Sequence, residues 1–304
     1  MTKFLITQVG FNDTCRYVAT VITATSILAI LIARPNPEHQ IRKPEKWHPR
    51  VFIDPHAFQN ASFAWFTASI CFLFFGFYAV FFNLEEWAAA EGLGYKGQAP
   101  NPQIDLGEYE VPKDAIRTFW LLSIMNASST VGRVGSAYLC DLFGALNVHA
   151  FVTLIASLLV LTLWTLTHTL NSAIAFVILF GIFSGSVIGL PPASVAYILG
   201  PDPAAQAKLG QWTGMMYSSA ALFALTGPVI AGHLISSYGQ NYLTVQLWSG
   251  ACMLVSAGCM GMAVVYTKRS RARMWLSRKV SSSVSSSRNM LRSFATNEKD
   301  DSAV

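Results

Sequence analysis

Seven stretches of this chain are apolar for about as long as a helix needs to cross lipid, and every other reading must accommodate them. A membrane-crossing helix takes about 20 mostly apolar residues. The stretches are residues 15–33, 58–84, 115–140, 148–167, 172–199, 208–236 and 242–266. In hydrocarbon only helices and closed barrels satisfy their own backbone. Runs of this length select the helix, so the expected fold is an all-α integral membrane protein with about seven transmembrane helices. Only 12% of the 304 residues are charged, about half of what a water-soluble domain carries. The first stretch is the weakest, because Thr20, Thr23, Thr25 and Ser26 lie inside it.

Basic residues in short loops set orientation. The 34–55 connection holds Arg34, Arg42, Lys43, Lys46 and Arg50, and the segment after the last stretch holds Lys268, Arg269, Arg271, Arg273, Arg278 and Lys279. Both are expected on the cytoplasmic side. With seven crossings this places the N-terminus outside. The 85–114 loop is then external and carries Glu85, Glu86, Glu91, Asp105, Glu108, Glu110 and Asp114 against Lys96 and Lys113. The expected organisation is an external segment 1–14, a first helix 15–33, a basic loop 34–55, a six-helix block 56–267 and a cytoplasmic tail 268–304. The tail is basic and Ser-rich, with SSSVSSS at 281–287, and reads as disordered. The formal charge of +5 faces anionic lipid of the inner leaflet. Membrane lipid is therefore an expected partner and nucleic acid is not.

The sequence carries no catalytic constellation, no phosphate-cradling loop and no metal-spaced ligand set. It reads as a non-enzyme without a cofactor. Of the five cysteines, Cys71, Cys140, Cys252 and Cys259 lie in or at the ends of apolar runs and read as small hydrophobes. His149, His168 and His233 share no spacing and read as interfacial residues. Asn12-Asp13-Thr14 matches a glycosylation sequon on the external side.

One charge lies well inside an apolar stretch: Arg133. Burying it at the bilayer centre costs about 2.5–3.5 kcal/mol, which marks a functional group unless the side chain snorkels. Asn126, Ser129, Thr130 and Arg133 recur at spacings of three and four, so they form one polar stripe. Such a stripe is expected to face the bundle interior or a water-filled path. Arg133 suits a substrate carboxylate. Asp141, in DLFGALN at the end of the same helix, either pairs with a neighbouring helix or is a solvated loop carboxylate.

Small residues punctuate the later stretches. Gly181, Gly185 and Gly189 recur every four residues and allow close backbone approach. Pro191 and Pro192 follow and free backbone carbonyls, giving either a broken, flexing helix or a static kink. Gly227-Pro228 repeats the theme in the sixth stretch, alongside Gly210 and Gly214, and the seventh holds Gly250, Gly258 and Gly261.

LLSIMNASSTVGRVGSAYLCDLFGALN, GIFSGSVIGLPPASVAYILGP and QWTGMMYSSAALFALTGPVIAGHLI resemble the C-terminal half of major facilitator transporters. The branch is the fungal monocarboxylate-transporter-like one. FAWFTASICFLFFGFYAVFF resembles that half's opening helix, and GRVGSAYLCDLFG resembles the family's loop motif. The resemblance covers roughly residues 15–267. It implies that the seven stretches match the sixth through twelfth helices of a twelve-helix fold, whose substrate lies between two halves. The missing wall would come from an N-terminal half or from a second copy. It implies a small organic-acid or related metabolite as substrate, secondary-metabolite export included, and a plasma-membrane or internal-membrane location. Arg133 matches the arginine of the animal monocarboxylate carriers, while Ser129 stands where those carriers have an aspartate, which argues against proton symport. The competing readings are a seven-helix receptor, by span count, and a non-transporting fragment that associates with a full-length relative. The gating residues implied are Asp141, Gly181, Gly185, Gly189, Pro191, Pro192, Gly227 and Pro228.

Overall fold

The computed structural model describes residues 10–32, 53–95, 116–239 and 241–301. The basic loop and most of the acidic loop lie largely outside the described residues. The chain forms two compact units, Met1–Lys46 and Trp47–Val304.

The first unit contains α1 (Phe11–Ile32). The hydroxyls that weaken this stretch on paper are satisfied by the helix itself. Thr20 donates to the Arg16 carbonyl at 2.8 Å, Thr23 to Ala19 at 2.8 Å and Thr25 to Val21 at 2.9 Å. A hydroxyl bonded to its own preceding turn no longer needs water, so Asn12–Ile32 is long and apolar enough to span a membrane.

The second unit is built from α2 (Ala61–Ala90), α3 (Phe119–Phe143), α4 (Ala145–Leu159) with a π-turn at Val160–Trp164, α5 (Leu170–Gly189), α6 (Pro191–Leu199), the single turn α7 (Pro203–Gln206), α8 (Leu209–Ser237) and α9 (Leu243–Asp301). Two strands of two residues each, Gly94–Tyr95 and Ile116–Arg117, pair in parallel between α2 and α3. Asn60 caps α2 by accepting from the Ser62 N–H at 3.0 Å. Thr169 and Ser172 form a reciprocal capping box that starts α5. Gly144, at φ 84°, supplies the left-handed residue that ends α3 and lets α4 begin at once.

Among the described residues six helices are long and apolar enough to cross a membrane. The protein is thus a multi-pass, all-α integral membrane protein. The expected seventh span is α3, which has the length, 25 residues, but not the apolarity, because it carries the polar stripe, Arg133 and Asp141. A second difference is the expected fifth span, which divides at Leu190 into α5 and α6. A third is the tail. The structure carries α9 on to Asp301, where a disordered tail is expected. From residue 262 to 301 there is neither Gly nor Pro, so nothing in the backbone stops the helical ladder.

The most buried helix is α2. Phe63, Phe66, Ile70, Leu73, Phe77, Leu84 and Trp87 are essentially inaccessible. An aromatic column leads out of it: Trp87 meets Trp164 edge-on at 5.8 Å, Trp164 stacks on Phe176 at 5.6 Å, and Phe176 stacks on Phe180 at 5.4 Å.

The helices touch at glycines. A methyl at position 132 in α3 would overlap the Ile182 carbonyl of α5, and one at 185 would overlap the Ser129 carbonyl of α3. One at 181 would lie 2.6 Å from the Met125 carbonyl, and one at 227 in α8 would overlap Phe75 backbone in α2. Serines close the same seams. Ser186 donates to the Gly132 carbonyl at 2.9 Å, Ser249 of α9 to the Gly76 carbonyl of α2 at 2.5 Å, and Ser69 of α2 to the Ser256 carbonyl of α9 at 2.8 Å. Pro228 is accommodated inside α8, which continues through it unbroken.

An ion pair ties the start of α2 to the start of α8. Lys208 Nζ donates to the buried Asp54 carboxylate at 2.9 Å, the Trp212 indole N–H reaches the same oxygen at 3.4 Å, and the His56 N–H donates to the other at 3.0 Å. The Lys208 hydrogen bond holds the Asp54 carboxyl below its ordinary value of 3.8. Burial pushes the other way, and the His56 and Trp212 donors add to the lowering.

Two outcomes are expected. Gly132→Val and Gly185→Val destabilise by about 1–3 kcal/mol or more, the cost of overpacking, whereas Gly210→Ala, where a methyl meets nothing within 4 Å, leaves the melting temperature in detergent unchanged. The Asp54 contribution to stability is complete above the unfolded carboxylate pKa and is lost as pH falls through the lowered folded value. The wild-type melting temperature should therefore drop below about pH 4 more steeply than that of Asp54→Asn, read by thermal unfolding across a pH series.

Candidate functional site

The polar stripe divides between two faces of α3. Leu121, Met125, Ser129, Gly132 and Ser136 are buried, and it is this face that meets α5. Asn126, Thr130 and Arg133 are exposed. Three of the four stripe residues therefore lie on an open wall of the helix block, and Ser129 alone lies inside. The reason is steric: close contact with α5 needs the small residues, so the bulky polar ones are turned out.

The members of the stripe differ in how far they are satisfied. Asn126 Nδ2 donates to the Leu122 carbonyl at 2.9 Å and Ser129 Oγ to the Asn126 carbonyl at 2.7 Å. Both spend their side chains on their own helix. Among the described residues no hydrogen bond or ion pair reaches the Arg133 guanidinium. A cation held on a membrane helix without a counter-charge is costly, and the forked donors of a guanidinium match the two oxygens of a carboxylate. Asp141 is exposed at the end of α3, and no ion pair joins it to Arg133.

The division of the fifth span sits beside Arg133. At Gly189 an added methyl would lie 4.0 Å from Arg133 Cγ, and the Ser186 bond to Gly132 fixes α5 one residue from the arginine. Leu190 is the only residue between α5 and α6. Pro191 and Pro192 occupy the first positions of α6, where proline needs no helical donor. Gly181 and Gly185 face α3, Gly189 faces Arg133, and Gly227 faces α2. The small residues singled out in sequence thus serve three different contacts.

His149 is the functional candidate that sequence reasoning passed over. It is fully buried in α4, not interfacial. Its Nδ1 lies 3.0 Å from Ser194 Oγ in α6, and the ring meets Phe66 of α2 edge-on at 5.8 Å. No spacing in the sequence signals it, because its partner Ser194 lies 45 residues away in another helix. The far end of α6 is also held by side chains. Arg271 of α9 donates to the Tyr197 carbonyl at 2.7 Å with its guanidinium 3.9 Å over the Tyr197 ring, and Gln206 donates to the Ala196 carbonyl at 2.9 Å.

A groove of about 510 Å³ between α4 and α9, lined by Ala150, Phe151, Leu154, Leu254 and Gly258 among others, is mostly apolar and includes no residue of the stripe. It has the chemistry of a lipid-facing surface.

Comparison with known proteins agrees with this architecture. The profile of the Major Facilitator Superfamily matches residues 2–207. An MFS-type transporter of Gibberella moniliformis is 36% identical over 156 residues, 51% of this chain and 36% of the relative. The MFS-type transporter opdF of Penicillium oxalicum is 28% identical over 270 residues, 89% of this chain and 56% of the relative. The aspyridones efflux protein apdF of Emericella nidulans is 28% identical over 254 residues, 84% of this chain and 45% of the relative. The chain spans about half the length of these relatives or less.

Proposed function

The chain belongs to the Major Facilitator Superfamily, and on that footing we propose that it moves small organic anions or related metabolites across a membrane. The observation that carries this reading is the unpaired Arg133 guanidinium on the open face of α3, flanked by Asn126 and Thr130. The chemistry of the wall is anion capture: a fork of N–H donors with an amide and a hydroxyl on the same side. Ser129 stands next to this wall, and a serine hydroxyl carries no exchangeable charge at physiological pH, so the cycle runs without a proton on that residue. The efflux protein among the relatives supports export of a secondary metabolite as the physiological direction.

In this reading α1 corresponds to the sixth helix of a twelve-helix carrier and the helices from α2 onward to its C-terminal half, and the open face of α3 is one wall of a cavity closed by an N-terminal half or a second copy. Gly189, Pro191 and Pro192 form the flexing point of the gate, Gly181, Gly185 and Gly227-Pro228 its sliding contacts, and Asp141 its pairing partner at the membrane surface. The plasma membrane is the proposed location.

The test is transport of a panel of small carboxylates and hydroxy acids in cells producing the chain, with any upstream helices that its transcript encodes. Arg133→Gln should cut transport at least tenfold, Arg133→Lys should keep part of it, and Asn126→Ala should weaken apparent affinity with less effect on maximal rate. Transport by Arg133→Gln at the wild-type level would overturn the assignment.

A further inference from the structure

We propose that the groove between α4 and α9 seats one anionic phospholipid, with an acyl chain along the groove and the headgroup on Lys268 and Arg269. Two glycines make the groove. At Gly132, Gly185 and Gly227 a methyl would overlap the backbone of a neighbouring helix, whereas at Gly258 and Gly261 of α9 it would meet nothing within 4 Å. These two glycines therefore serve no seam among the described residues. They leave a stretch of α9 bare, and the exposed side chains of Phe151, Leu154 and Leu254 stand around it. The hydrocarbon core supplies no water to fill such a groove, so its occupant is an acyl chain or another protein surface.

Charge at the end of the groove selects the lipid. Lys268 is the first charged residue of α9. It follows Gly261 by seven residues, which places it within about 20° of that glycine and about 10 Å further along the helix. Exposed Val265 continues the apolar surface between them, and Arg269 flanks the lysine. From Leu254 to Lys268 is about 21 Å at helical rise. That is the depth of one leaflet with its headgroups, half of the about 40–45 Å of a bilayer. Lys268 and Arg269 are both exposed, and among the described residues no hydrogen bond or ion pair reaches either. Arg271, by contrast, is spent on the carbonyl and ring of Tyr197. A second copy fits this face poorly. A two-fold interface along α9 would set Lys268 and Arg269 against the same cations of the other chain, whereas an anionic headgroup neutralises them. The groove includes no residue of the Arg133 stripe, so this site stands or falls separately from the proposed transport.

The experiment is native mass spectrometry of the full chain released from detergent, titrated separately with phosphatidylserine and phosphatidylcholine of the same acyl chains. The first phosphatidylserine should bind about tenfold tighter than the first phosphatidylcholine, as two basic residues at the membrane surface allow. Lys268→Gln with Arg269→Gln should bring phosphatidylserine to the phosphatidylcholine level. Gly258→Leu fills the groove where a side chain meets open space, and should weaken the first binding step of both lipids. Arg273→Gln is the control: Arg273 is exposed on the same helix but about 120° round from Gly261, so the preference should persist. Equal binding of the two lipids by the parent overturns the proposal, as does a loss in Arg273→Gln equal to that in the double variant. Parent-like binding of both lipids by Gly258→Leu also overturns it. A parent dimer that Gly258→Leu converts to monomer assigns the groove to a second copy and overturns it too. Should Gly258→Leu fail to fold, the double variant decides, since an unchanged phosphatidylserine preference there overturns the proposal.

Discussion

The bundle rests on backbone touching backbone at glycine, with a serine hydroxyl reaching across to the neighbouring carbonyl. In lipid the hydrophobic effect does not drive helices together, so contact area and internal hydrogen bonds must do so. Gly132, Gly181 and Gly185 bring α3 and α5 together while Ser186 bonds the Gly132 carbonyl; Gly76 and Ser249 do the same for α2 and α9. Each seam fixes which face of a helix points inward. The candidate site follows from that choice, because a face used for close packing cannot also present large polar groups.

The α3 helix shows the conflict most clearly. Its small residues are committed to α5, so Asn126, Thr130 and Arg133 go to the opposite side and cost the helix the apolarity of a simple span. A helix that serves only as structure would replace them with leucine. Retaining them makes sense for a wall that meets a solute or another set of helices. Thr20, Thr23 and Thr25 of α1 are also polar, but like Asn126 each is bonded to its own helix, so they carry no demand comparable to that of Arg133.

Much of the fold was legible because membrane helices obey few rules. Apolar length located the helices, and the four-residue glycine spacing in α5 pointed to a close seam before any partner was known. The stripe around Arg133 was legible as a stripe, since 126, 129, 130 and 133 share a helical face. Its division was not: Ser129 sits at the edge of that face, and only the packing of α5 decides that it is buried. The break at Leu190 was legible in Pro191-Pro192 as a choice between a kink and a break. His149 was not legible, because its partner Ser194 lies 45 residues away in another helix and shares no spacing with it. The helical continuation past Leu276 was obscured by a composition that resembles a tail, although the absence of Gly and Pro permitted the helix.

That continuation joins the membrane to its surroundings by a single stiff element. From Leu276 to Asp301 the helix adds about 37 Å beyond the apolar span at helical rise. Where it leaves the span, Arg271 grips the end of α6. The short segment beyond the break and the long projecting helix thus share one fulcrum. For a rod of that length, a small tilt at its root is a large displacement at its far end.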